Sequence, residues 1–138
     1  MKQISQEQGV ALINEFRENC RTRIGITEED LHSFQAEMEG KPLAYFWEGS
    51  ITEPLYEGAD RLGKLLQMLK LEMDAIGKAP RFFLIQILMS RTSELQMDEM
   101  NAMHEFFSTY ENMEFRWAMS VTEEKPPVIK MMVIVVTE

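Results

Sequence analysis

Two segments of this 138-residue chain are apolar at nearly every position, and they constrain the fold more than any other feature. Residues 82–89 are interrupted only by Gln86, and residues 128–136 only by Lys130. A strand with one face in water alternates apolar and polar residues, whereas a strand that is apolar on both faces is covered on both sides. We therefore expect both segments in the interior of a sheet with layers packed on its two faces.

The remaining pattern predicts four helices and two further strands. Residues 43–47 are short and aromatic-rich, as in a strand, and residues 115–121 alternate, as in an edge strand. Apolar residues at three- and four-residue spacing predict helices from residue 5 to residues 21–25, and over 27–40, 54–76 and 97–110. The predicted order is therefore α-α-β-α-β-α-β-β.

The connections between the strands predict the sheet topology. Strand-helix-strand units of this length make parallel neighbours with right-handed crossovers. The last connection, residues 122–127, is too short for a crossover helix, so the last strand should run antiparallel to the others. Because that strand is apolar on both faces, we place it between the first and second strands, which gives the order 1-4-2-3 with residues 43–47 and 115–121 at the edges.

The predicted fold class is therefore α/β (α+β), a four-stranded mixed sheet preceded by two N-terminal helices. We expect a single domain over residues 1–138, made of an N-terminal helical extension (1–40) and a sheet domain (41–138). Two crossovers that progress in one direction place both of their helices on one face of the sheet. The N-terminal helix pair is then expected to cover at least part of the second face.

Charge and cysteine content exclude several classes of partner. The formal net charge is -9, and a negative surface repels both the phosphates of nucleic acid and anionic membranes. The single cysteine, Cys20, cannot form an internal disulfide or a multi-thiolate metal site. Residues 1–8 are polar, so no secretory leader is visible, and no apolar run is long enough to span a bilayer. We expect a soluble, cytoplasmic protein without a cofactor.

Several segments resemble the C-terminal domain of the cell-division GTPase FtsZ. Residues 81–87 followed by 95–100 are similar to that family's LLxxI strand and T-M-D-E-M-like helix opening. Residues 113–121 resemble its V-x-V-I-W-G-x-x-V strand, 128–137 its V-K-V-T-V-I-A-T strand, and 57–62 its G-E-N-R-A helix opening. The resemblance covers roughly residues 43–138. It implies a mixed four-stranded sheet with the strand order given above.

The sequence also departs from that family. The GTPase domain with its Gly-rich phosphate loop is missing, and no N-x-D-x-x-D stretch is present, Glu57 and Asp60 being the nearest acidic pair. Ala118 stands where the family has a glycine after the tryptophan. We therefore expect neither GTP binding nor GTP hydrolysis.

Candidate site residues are few. His32 and His104 lie on the polar sides of predicted helices and match no metal or acid-base motif, and Cys20 lies on an apolar stripe, so we assign neither type a catalytic or metal-binding role. Met97, Met100 and Met103 share a stripe with Phe106 and Phe107, which favours core packing over partner binding. The candidate partner contacts are four residues on the two predicted edge strands: Tyr45, Trp47, Arg116 and Trp117. For Trp47 a place in the core is an equal alternative.

Two classes of function remain open. The first is a non-catalytic protein-interaction domain that binds a protein partner, with FtsZ itself or a second copy of the chain as candidates, and is linked to cell division or a cytoskeletal filament. The alternative is a small oligomeric enzyme or ligand-binding protein with a fold like bacterial chorismate mutase and sites between subunits. That alternative needs converging cations, and those available are scattered along the sequence: Arg81, Arg91, Arg116 and Lys130.

Overall fold

The computed structural model describes residues 1–18, 22–52, 58–122 and 128–138, with the backbone alone for residues 22–24. Its elements are β1 (Lys2–Ile4), α1 (Gln6–Glu18), β2 (Thr22–Ile24), α2 (Glu28–Glu37), β3 (Ala44–Ile51), α3 (Arg61–Ile76), β4 (Pro80–Ser90), a 3-10 turn (Arg91–Ser93), α4 (Met97–Ser108), β5 (Glu114–Thr122) and β6 (Ile129–Thr137). Within these ranges, no helix combines the length and the apolarity that crossing a bilayer requires.

The strands form one mixed sheet in the order β1-β3-β6-β4-β5-β2. The four strands predicted from the sequence lie in the predicted order, because β6 runs between β3 and β4 and is antiparallel to both. β4 and β5 are parallel neighbours, as the crossover through α4 requires. The fold class and the position of the doubly apolar last strand are therefore confirmed.

The predicted edges of the sheet are wrong, and so is the predicted beginning of the third helix. β1 pairs antiparallel with residues 44–46 of β3, and β2 pairs with Met119 and Ser120 of β5, so both predicted edge strands have a further neighbour. Three-residue strands are too short to show an alternating pattern, which is why neither was predicted. The described part of α1 ends at Glu18 and β2 begins at Thr22, so the first helix does not extend into residues 22–25. The third helix begins at Arg61 rather than at Pro54, which itself lies outside the described residues.

Helices cover both faces of the sheet, and each face has its own apolar core. On the first face, α3 and α4 pack on the inward side chains of β3, β6 and β4. On the second face, α1 and α2 contribute Ile13, Phe16 and Phe34 to a core that includes Phe82 and Ile134 of the sheet. The N-terminal helix pair thus covers part of the second face, as expected from the apolarity of β4 and β6.

A close approach between α1 and α2 depends on Gly9. A Cβ atom at Gly9 would overlap the ring of Phe34, which is fully buried and cannot move aside. Replacing glycine by alanine inside a helix normally stabilises by about 0.5–1 kcal/mol. We expect the opposite sign for Gly9→Ala, a loss of about 1–3 kcal/mol measured by urea unfolding, because the overlap forces side chains off their rotamers.

The matched control for this prediction is Gly63→Ala in α3. There the three atoms nearest the added Cβ all belong to the carboxylate of Asp60, an exposed side chain that can rotate away. Gly63→Ala should therefore be neutral or stabilising. Equal effects of the two substitutions would contradict the close packing of α1 on Phe34.

Candidate functional site

The helices on the first face leave part of the sheet uncovered. α3 packs over β3 and β6, and α4 lies over β4, where Phe106, Phe107 and Tyr110 surround the ring of Phe83 at centroid distances of 5.7–6.4 Å. Phe107 also stacks on Phe115 at the beginning of β5, with ring centroids 3.4 Å apart. Beyond Phe115, no helix of the described residues lies over β5, whose side chains on this face are only half-buried. A groove therefore runs between α4 and β5.

This groove, which we call the α4–β5 groove, has a volume of about 880 Å³. Its walls are mostly apolar and unusually rich in methionine. The lining residues are Glu94, Leu95, Gln96, Met97, Met100, Met103, His104, Phe107, Phe115, Trp117 and Met119. No Lys or Arg stands among these described lining residues, so Glu94 carries the one permanent charge of the groove wall.

The structure corrects the prediction for the methionine stripe of α4. Met103 is buried in the core with Phe106, as expected, but Met100 is only half-buried and Met97 is 83% exposed. The sequence alone could not separate these positions, because the same helical spacing serves a core and an open groove. Met97 and Met100 therefore belong to the surface of the α4–β5 groove.

A buried ion pair holds the beginning of α4 against the beginning of α3. The Arg61 guanidinium donates to both carboxylate oxygens of Glu99, at 3.0 Å through Nε and 2.8 Å through its terminal nitrogen. It also donates to the carbonyl and hydroxyl oxygens of Ser93 and to the carbonyl of Glu94. Arg61 is 0% exposed and Glu99 3%, so both charges lie within the protein and are compensated there.

Glu99 is also part of the N-terminal cap of α4. Its carboxylate accepts from the backbone N–H of Gln96 at 3.1 Å, and the side chain of Gln96 accepts from the backbone of Glu99, which completes a capping box. Burial by itself would raise the pKa of Glu99. The hydrogen bonds from Arg61 and from the backbone of Gln96 outweigh it, so the pKa of Glu99 lies below its ordinary value.

This lowered pKa predicts part of the acid sensitivity of the fold. Because the folded-state pKa lies below the unfolded value of about 4.3, the contribution of Glu99 is fully present above that pH and is lost as the pH falls through the folded value. Glu99→Gln should lower stability at pH 7 and flatten its decline below about pH 4.3. Urea midpoints from pH 7 to about pH 3 measure this, and parallel curves for the two proteins would contradict it.

The structure does not bring the four predicted partner contacts together. Tyr45 and Trp47 lie on β3, and Arg116 and Trp117 on β5, with β6 and β4 between them. Trp47 is 8% exposed and packs in the first-face core, over Gly49 and beside Leu65, which favours the core alternative for this residue. Tyr45 is half-buried on β3. Of the four, only Trp117 lines the groove.

Arg116 points to the second face and is engaged within the chain. Its guanidinium lies 3.1 Å from Glu114 and 3.7 Å from both Glu29 and Asp30 at the beginning of α2. The hydrogen bond with Glu114 holds the pKa of Arg116 above its ordinary value, with a smaller contribution from the two α2 carboxylates. These contacts connect α2 to β5.

The other residues considered as sites remain dispersed. His32 and His104 are both exposed, as expected. Arg81 pairs with Glu37 at 3.2 Å and Lys130 with Glu48 at 3.6 Å, so these cations do not converge on one pocket. Across the described ranges, no three His, Cys, Asp or Glu side chains are placed to hold a metal ion. Cys20, Glu57 and the loop with Pro126 lie outside the described residues.

Neither the Arg61–Glu99 pair nor the groove was predicted from the sequence, although the sequence contains a signal for the ion pair. Arg61 lies four and eight residues before Leu65 and Leu69, which places a charge on the buried stripe of α3. Gln96 and Glu99 have capping-box spacing. Because Arg61 lies on an apolar stripe and Glu99 is a capping carboxylate, the two residues are candidates for a buried ion pair. The groove has no comparable signal, because it depends on which strand α4 lies over.

Comparison with known proteins shows a similarity of fold to part of FtsZ. An empty FtsZ dimer from M. jannaschii matches with a TM-score of 0.56 and 15% identity, over 83% of this chain and 32% of the FtsZ chain. A mutant FtsZ from M. jannaschii matches with a TM-score of 0.50 and 12% identity, over 67% of this chain and 27% of that one. No family model and no curated protein matches the sequence. This chain thus spans less than a third of the FtsZ chains it resembles, and its fold is that expected of an FtsZ-like C-terminal domain.

Proposed function

We propose that this chain is a non-catalytic protein-interaction module of the cytoplasm and that the α4–β5 groove is its partner surface. The observation that carries the proposal is the groove itself, an open apolar surface that the chain's own described helices leave uncovered. Protein–protein interfaces are enriched in aromatic residues and methionine and depleted in charge at their centre. Trp117, Phe107 and the methionines of the groove match that composition.

The fold similarity supports two candidate partners, FtsZ itself and a second copy of this chain. The matched FtsZ structures have a similar fold over 67% and 83% of this chain, and one of them is a dimer. A chain that has an FtsZ-like sheet and no phosphate loop fits a binding role beside a cell-division filament better than a GTPase role. We therefore place the proposed module in cell division or in the control of a filament.

A small-molecule site is the second candidate function. A volume of about 880 Å³ falls within the range of ligand pockets, and the walls are apolar. An enzyme that acts on an anionic substrate, as in the chorismate-mutase alternative, would need cations in the groove. Arg81, Arg116 and Lys130 are instead paired with carboxylates outside the groove. This distribution favours the interaction module.

The test measures binding of purified FtsZ from the source organism, together with self-association by sedimentation equilibrium. The groove variant carries Met97→Asn and Met100→Asn. The matched control carries Met68→Asn and Leu71→Asn, which alter two exposed apolar residues of α3 outside the groove. We expect the groove variant to lose at least tenfold in affinity for FtsZ or for itself, and the control to bind normally.

Two results would contradict the proposal. One is the absence of both FtsZ binding and self-association at about 100 μM, well above the Kd of a specific interface. The other is equal binding by the groove variant and the control. A calorimetric titration with GTP, with FtsZ as the positive control, should give no heat of binding. Micromolar affinity for GTP would overturn the non-catalytic assignment.

A further inference from the structure

We propose that the α4–β5 groove binds one amphipathic α-helix, about three turns long and basic on its polar side, supplied by another protein. This inference rests on the proposed function and adds the chemistry of the partner. The helix would lie beside α4, over β5, and complete the helical layer of the first face.

The width of the uncovered strip fits a single helix. Strands lie about 4.8 Å apart and a helix with its side chains is about 10 Å across, so one helix covers about two strands. α3 lies over β3 and β6, and α4 lies over β4 and, through the stacking of Phe107 on Phe115 at a ring-centroid distance of 3.4 Å, over the beginning of β5. The strip left on this face is the rest of β5 with its short neighbour β2, which has room for no more than one further helix.

The length of the groove sets the length of the bound segment. Along α4 the lining runs from Met97 to Phe107, which corresponds to about 15 Å at a rise of about 1.5 Å per residue. Such a wall matches about three turns of a partner helix, with anchors at positions i, i+3 or i+4, and i+7.

The groove recognises side chains rather than backbone, which favours a helix over an added strand. The side chains of Phe115, Trp117 and Met119 on β5 form the floor of the groove, and α4 forms its wall. The edge of β5 beside Met119 is already paired with β2. A helix satisfies its backbone hydrogen bonds internally, so it presents only side chains to a partner. The flexible methionine side chains of the groove can adapt to such a surface.

Charge complementarity selects a basic partner from another protein over a second copy. The chain has 23 acidic residues against 14 Lys and Arg, and no Lys or Arg stands among the described residues that line the groove. Two copies that meet through this groove would bring like charges together. Lys and Arg beside the apolar stripe of a partner helix would instead be attracted, with faster association at low salt.

The test uses three fluorescein-labelled 14-residue peptides and the intact chain. The first is made of leucine and lysine with leucine at helical spacing, the second replaces lysine by glutamate, and the third has the composition of the first with leucine at every second position. Anisotropy at physiological salt should give an affinity for the first peptide at least tenfold higher than for the others. The Met97→Asn, Met100→Asn variant should lose at least fivefold, and the Met68→Asn, Leu71→Asn control should bind normally.

Methyl-labelled methionine locates the peptide directly. On binding, the resonances of Met97, Met100 and Met119 should shift, and that of Met68 on α3 should not. Circular dichroism of the complex should show that the peptide gains helix. Shifts confined to residues outside the groove would overturn the proposal even if the affinity is high.

Other outcomes separate this inference from the proposed function. Tighter binding of the strand-patterned or acidic peptide, or a dimer that the groove variant abolishes, would overturn the basic helix and leave the groove as a partner surface. A small apolar ligand that excludes all three peptides would assign the groove to that ligand and overturn both proposals. Peptide binding that is unchanged in the groove variant would overturn the helix site, whatever the result with FtsZ.

Discussion

Arg61→Met is expected to lower the free energy of unfolding by about 3–5 kcal/mol, because it leaves the Glu99 carboxylate buried without its partner. The free energy of unfolding of a typical domain is about 5–15 kcal/mol, so the variant would be close to unfolding at room temperature. Urea unfolding at pH 7 measures the loss. Methionine keeps most of the apolar volume of the arginine stem, so the effect reports the lost charge and hydrogen bonds.

Arg81→Met is the matched control for this prediction. Arg81 also pairs with a glutamate, Glu37, but the side chain of Arg81 is 43% exposed, so water screens its charge and we expect a loss of about 0–1 kcal/mol. Combining Arg61→Met with Glu99→Gln should recover part of the loss, since no buried charge then remains. A loss below about 1 kcal/mol for Arg61→Met would show that the pair is not buried in solution.

Deleting residues 1–40 is expected to abolish folding of the remaining chain. The deletion removes six buried apolar side chains from the second face: Ile4, Ile13, Phe16, Ile26, Phe34 and Met38. At about 1.5–3 kcal/mol each, they contribute about 9–18 kcal/mol, which equals or exceeds the stability of a typical domain. The exposed face of β4 and β6 should then aggregate or bind an apolar dye.

Size-exclusion chromatography and circular dichroism of residues 41–138 check this expectation. Adding residues 1–40 as a separate peptide should restore part of the native signal, because the two pieces share one core. A truncated protein that is monomeric and melts cooperatively at the temperature of the full chain would show that the N-terminal helices are dispensable.

The centre of the fold could be predicted because its sequence pattern has one physical interpretation. Residues of β4 and β6 are apolar on both faces, and only an interior position covered by two layers buries them all. Together with the short connection before β6, this determined the strand order and direction. The same argument required a cover on the second face, and α1 and α2 supply it.

The edges and the groove could not be predicted for different reasons. β1 and β2 are held by backbone pairing, which leaves almost no trace in three residues of sequence. The residues that line the groove were assigned to different parts of the fold: Met97 and Met100 to the core, and Trp117 to an edge strand. What brings them together is the position of α4, which the Arg61–Glu99 pair and the Phe83 ring cluster determine.

The central position of β6 also determines when this chain can fold during its synthesis. β3 and β4 are not neighbours in the sheet, and both pair with β6, which is synthesised after the other strands of the described residues. Ala44 of β3 pairs with Val136 of β6, and most of the chain separates these two residues in sequence. Pairing between residues so far apart in sequence slows folding. A nascent chain that stops before residue 129 therefore presents two apolar strands without their shared neighbour, the kind of surface on which chaperones act.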